Sequence, residues 1–106
     1  MDIDPNKAIE YIQLNSANYA KAKAERVFIE NNLRVVKAKL MNKEDGTLGA
    51  KEAYAYSHID YETQLNGLKA AVEIEEHLKY MLEAAKLRVE IWKVNEYTKR
   101  TEMKNL

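Results

Sequence analysis

Asp45-Gly46-Thr47-Leu48-Gly49 is the one strong break in this chain of 106 residues. Gly46 after Asp45 suits the left-handed conformation that ends a helix. Only one further glycine and a single proline occur elsewhere. The fold therefore follows from what stands on either side of this break.

Upstream, apolar or small residues recur at Ala8, Ile12, Tyr19, Ala22, Ile29, Leu33, Val36 and Leu40. With Asn15 and Arg26 included, the spacing alternates between four and three, a heptad-like stripe with two polar members. Asp4-Pro5 is a helix start, with Asp as cap and Pro where no hydrogen bond is lost. The spacing predicts a helix over about residues 5–42, a rod of roughly 57 Å.

Downstream, residues 43–57 read as a turn with a short helix over Ala50–Tyr56. Ser57-His58-Ile59-Asp60 reads as a capping box, with Ser57 as cap. A second long helix is expected over about residues 58–99. Its stripe is Tyr61, Leu65, Leu68, Val72 (or Ala71), Leu78, Leu82 with Met81, Ala85, Val89 and Trp92. Gly67 lies inside it and offers a place for close helix approach. The tail from Thr101 to Leu106 is expected to fray.

The fold class is all-α: one domain over 1–106, an elongated antiparallel helical hairpin with a short helix at its tip. Ile9, Val27, Phe28, Val35, Ile74, Leu87 and Ile91 widen the stripes beyond what one hairpin covers. Association into an oligomeric helical bundle or ring is therefore expected.

Composition excludes several classes. The chain has no cysteine, so disulfides, thiolate metal sites and cysteine nucleophiles are out. Met1-Asp2-Ile3-Asp4-Pro5 is acidic and does not read as a signal peptide. No apolar run approaches the ~20 residues of a membrane span. The expectation is a soluble, intracellular protein with no membrane partner.

Net charge is zero but blocked. Residues 1–18 carry −2, 19–43 carry +5, 44–83 carry −6 and 84–106 carry +3. A turn near residue 50 brings the basic part of the first helix beside the acidic start of the second. The ordinary reading is solvated faces with internal pairing. Arg26, Glu75 and Arg88 fall on or beside the stripes, where polar residues set register. An Arg26–Glu75 pair is expected across the helices.

Catalysis has little to build on. Ser16 and Ser57 lack the surroundings of an activated nucleophile. Glu73, Glu75, Glu76 and Glu83 read as a solvated face. Glu73 and His77 share a helix face but lack a second Glu-x-x-His for a di-metal bundle. His58 has no catalytic task by this reading. No metal, cofactor or enzyme activity is expected.

Nucleic acid is the sharper alternative. Tyr54, Tyr56 and Tyr61 cluster near the turn, beside Arg34, Lys37, Lys39 and Lys43. Tyrosines here read first as packing for the turn. They can also serve as stacking platforms beside phosphate-binding cations. Arg34, Lys37, Lys39, Lys43, Tyr54 and Tyr56 are the candidate contacts.

Glu52-Ala53-Tyr54-Ala55-Tyr56-Ser57-His58, with Tyr61, Leu65, Ala71, Glu75, Leu78, Ala84-Ala85, Arg88, Glu90 and Trp92, resembles a set of short phage-encoded helical proteins. The layout is similar to the UvsY-type recombination mediators over roughly residues 30–100. In that family a basic run precedes a turn and a long amphipathic helix; here the run is Lys37-Ala38-Lys39-Leu40. The aromatic residues that follow it in the family are replaced by Met41-Asn42-Lys43. The resemblance implies single-stranded DNA contact by Lys37 and Lys39. It also implies ring-like self-assembly through the last helix, where Leu78, Met81, Leu82, Ala85, Val89 and Trp92 are the interface candidates. Its partners would be a recombinase and single-strand-binding protein, in the cytoplasm of an infected bacterial host. Two other readings stand beside it: a helical module that binds and redirects a host protein, and a structural coiled-coil spacer.

Overall fold

The computed structural model describes residues 2–105 and contains three helices, α1 Pro5–Met41, α2 Leu48–Ser57 and α3 Ile59–Lys104. No strand occurs among the described residues. None of the helices is long and apolar enough to cross a membrane.

The helix ends follow from local chemistry. Asp4 Oδ1 accepts the backbone N–H of Asn6 at 2.9 Å and of Lys7 at 3.4 Å. These are amides that a helix start leaves unpaired. α1 closes with a tightened turn, Lys43 N–H donating to Leu40 O and Glu44 N–H to Met41 O. Gly46 then takes φ +121°, a conformation that L side chains resist. Thr47 begins α2, its hydroxyl accepting from Ala50 N–H at 3.2 Å.

One sequence expectation fails at the next junction. Ser57 is the last residue of α2, not the cap of α3. Its hydroxyl donates back to Ala53 O at 2.7 Å. His58 is the extended residue between the helices, and its Nδ1 accepts from Asp60 N–H at 3.0 Å. An imidazole nitrogen thus takes the task assigned to the serine. At the far end, helix continues to Lys104 where fraying was expected. Leu106, the end of that expected tail, lies outside the described residues, as does Met1.

The described residues form two compact units, one from residues 2–20 with 76–105, the other Lys21–Glu75. In the first, Ala8, Leu82 and Ala85 are buried. In the second, Leu40, Ala55, Ala71 and Glu75 are buried. Four of the six buried apolar residues are alanines, so little apolar volume leaves water. Eighteen large apolar side chains stay exposed, among them Leu14, Phe28, Ile74 and Leu87.

Burial follows the heptad stripe along α1 residue by residue, from Ala8 to Leu40 with Asn15 and Arg26 included. On α3 the protected positions include Tyr61, Gln64, Leu68, Ala71, Glu75, Leu78, Leu82, Ala85, Val89, Trp92 and Glu96. Leu65, expected on the stripe, is exposed instead, and Gln64 holds the inner position; of Val72 and Ala71, left open in the sequence, Ala71 is the buried one. Gln64 accepts from Asn32 Nδ2 at 3.0 Å, so the inward amide is paired. Gly67 meets no close neighbour: a Cβ built on it finds nothing within 4 Å.

Candidate nucleic-acid interface

The site candidates lie in the Lys21–Glu75 unit and are best built from Arg26 outward. Arg26 is on the α1 stripe and Glu75 on the α3 stripe. Arg26 Nε donates to Glu75 Oε2 at 2.6 Å and NH2 to Oε1 at 3.0 Å. NH1 reaches Glu30 Oε2, one turn along α1, at 3.0 Å. Hydrogen bonding to Glu75 first, then to Glu30, raises the arginine pKa above its ordinary value against the opposing effect of burial. The pair expected from sequence is therefore present, with Glu30 as a member that sequence reading missed. Its spacing of four from Arg26 was the available signal.

Arg26 is thereby neutralised, but the rest of the basic stretch is not. Arg34, Lys37, Lys39 and Lys43 take no part in the ion pairs found among the described residues.

These cations divide between two grooves. Glu30, Leu33, Arg34 and Lys37 recur at three- and four-residue spacing and share one side of α1. With Tyr56 of α2 and Tyr61 and Leu68 of α3 they line a groove of about 480 Å³. Lys37 Nζ lies 4.6 Å from the centroid of the Tyr56 ring. Tyr56 meets Tyr61 edge to face, with centroids 5.2 Å apart and planes at 85°. The Lys37 pKa is raised, chiefly by the Tyr56 hydroxyl, while partial burial opposes the rise. Tyr56 itself stays 51% exposed, so part of its ring remains open to a ligand.

Lys39 and Lys43 line a different groove of about 310 Å³, where Asp60, Thr63 and Gln64 face them. Asp60 there opposes any incoming phosphate. Tyr54 stands apart again, its ring against His58 at 5.6 Å and 65°. Of the six candidates, the structure brings Arg34, Lys37 and Tyr56 together and adds Tyr61. It places Lys39, Lys43 and Tyr54 elsewhere.

No family model matches this chain, and neither does any curated protein or solved structure. The groove must be read on its own chemistry. Two cations beside two aromatic rings can hold a phosphate and stack a base, the combination used for single strands.

The interface candidates on α3 belong to the other unit. Leu82 and Ala85 are buried within the chain's own packing. Leu78, Val89 and Trp92 are half-buried, and Met81 is 42% exposed. No group of three or more His, Asp or Glu side chains able to hold a metal occurs among the described residues. Glu73 and His77 are both exposed.

Proposed function

We propose that this chain is a non-enzymatic, self-associating helical hairpin that binds single-stranded DNA at the Arg34–Lys37–Tyr56–Tyr61 groove. In this reading it is a phage recombination mediator of the UvsY type. It works in the cytoplasm of an infected host, holding the strand open while a recombinase displaces single-strand-binding protein. The observation that carries the DNA part is the Lys37 ammonium, in no ion pair among the described residues, against a half-exposed Tyr56, with Arg34 on the same side of α1. Partners that recede along α3 as α1 advances, Glu75 for Arg26 and Gln64 for Asn32, support the hairpin. The shortage of buried apolar residues supports self-association.

The test is fluorescence anisotropy with a labelled single-stranded oligonucleotide over a salt series. Binding should weaken with salt, and Lys37→Ala should lower the log–log slope by about 0.7. Lys37→Glu should abolish binding, whereas Lys39→Glu should weaken it only moderately. Equal loss from both charge reversals, or no binding at low salt, would sink the groove assignment.

A second reading has its own observation. Glu73 and Ile74 are exposed on α3, Ile74 by 57%, a surface suited to a protein partner. Glu75 is excluded from that surface because it points inward to Arg26. A host-protein binder would lose its partner on reversal of Glu73 and Glu76 and be indifferent to Lys37.

A further inference from the structure

Beyond the stripe that the chain packs internally, α3 carries a second one on its reverse side. Tyr80, Ala84, Leu87, Ile91, Val94 and Thr98 recur at spacings of four and three. Each lies two positions beyond an inward residue (Leu78, Leu82, Ala85, Val89, Trp92, Glu96), hence roughly 200° around the helix. All six are exposed, with Tyr80, Leu87 and Val94 each above 60%. A helix buried on one side has no intrachain need for a second heptad seam. Such a seam matches the 3.5-residue repeat of another helix.

We infer that this reverse stripe is a dimerisation seam, and that its occupant is α3 of a second copy lying parallel and in register. This rests only on the self-association part of the proposed function and is independent of DNA. In heptad terms Ala84, Ile91 and Thr98 take the a positions and Tyr80, Leu87 and Val94 the d positions. Ile91 at an a position, with Leu87 at the d position before it, matches the β-branched-a, Leu-at-d preference of two-stranded coils.

Charge sets the orientation. The flanking g positions are Glu83 and Glu90, and the flanking e positions include Arg88. In a parallel pair each g residue faces the e residue five positions on in the partner. Glu83 therefore meets the second copy's position 88, an arginine, and the symmetry repeats the contact. In an antiparallel pair g faces g, which sets glutamate against glutamate. Glu83 and Arg88 are both exposed and take no part in the ion pairs found among the described residues. The same edge of the stripe (Met81, Ala84, Leu87, Arg88 and Ile91) lines a groove of about 710 Å³ with Lys7 and Tyr11 of α1. A second helix on the stripe would fill that groove.

The experiment uses the full chain, in light scattering after size exclusion and in oxidative cross-linking. Wild type should show twice the chain mass of 12.3 kDa. Leu87→Glu should run as a monomer while its circular dichroism stays helical, because Leu87 is 61% exposed within the chain. Glu83→Arg should weaken the dimer about tenfold by turning two attractions into repulsions. Glu83→Arg with Arg88→Glu should restore it. The chain has no cysteine, so Thr98→Cys gives a clean disulfide dimer only if the two copies are parallel and in register. A wild-type monomer, a dimer indifferent to Leu87→Glu, no rescue by the charge swap, or no cross-link at position 98 would each overturn the proposal. DNA binding is read separately by anisotropy, so loss of one reading leaves the other standing.

Discussion

Arg26 and Glu75 stand 49 residues apart in the chain and meet at two points, 2.6 and 3.0 Å apart. Glu75 is the one buried charged residue among those described, at 6% exposure. Removing Glu75 strips Arg26 of its buried bidentate partner and leaves it the Glu30 contact alone, while removing both members leaves no charge to re-pair. Glu75→Ala should lower Tm by about 5 °C or more. Arg26→Leu combined with Glu75→Leu should match or exceed wild type. Thermal melts followed by circular dichroism decide it; a double variant less stable than Glu75→Ala would show the pair itself to be strongly stabilising.

The cap assignments separate sharply. Thr47 receives a backbone amide and Ser57 does not. Thr47→Ala should cost about 1 kcal/mol in urea denaturation. Ser57→Ala should change stability by less than about 0.5 kcal/mol, as a back-bonded helix serine does little.

Gly67→Ala should stabilise the chain by about 0.5–1 kcal/mol. Its surroundings hold space for a methyl group, and alanine loses less backbone freedom in a helix. Gly46→Ala is the opposite case. Space is sufficient there too, with Ala50 Cβ 3.6 Å away, but φ of +121° strains any L side chain. Gly46→Ala should destabilise by about 1 kcal/mol or more. Denaturant midpoints of the two variants should move in opposite directions.

Lys37 should titrate above an ordinary lysine because the Tyr56 hydroxyl favours its charged form. Its folded pKa is raised, so its contribution is fully present at neutral pH. That contribution is lost only as pH rises past the ordinary lysine value of 10.5 and through the higher folded one. Stability should therefore not vary with Lys37 between pH 6 and 9. Tyr56→Phe keeps the ring and removes the hydroxyl, so the Lys37 pKa should fall towards normal. Side-chain NMR titration of Lys37 measures this; an unchanged value would place the cause elsewhere.

Much of the fold was legible before any coordinates. Gly46 marked the break, Asp4-Pro5 the start of α1, and the stripe from Ala8 to Leu40 matched burial position by position. Errors arose where neighbouring helix positions compete for the same face. Leu65 outranks Gln64 in hydrophobicity, yet Gln64 lies inward because Asn32 supplies its hydrogen bond. Ser57 outranks His58 as a cap, yet the chain turns one residue later. At the candidate site, the cations and tyrosines were visible as a list. Their division into two grooves was not, since the two-residue step from Lys37 to Lys39 turns about 200° around the helix and separates sides that a linear sequence shows as adjacent.

By itself, then, the sequence determined three helices, their internal seam and the absence of cysteine chemistry, because periodicity and turn propensities are local. Only the tertiary structure decided that Arg26 meets Glu75 while Lys37 lies over Tyr56 outside any ion pair, and which face of α3 is left in solvent. Those outcomes depend on rotation of one helix about its axis by a fraction of a turn, and contacts between distant residues set that angle.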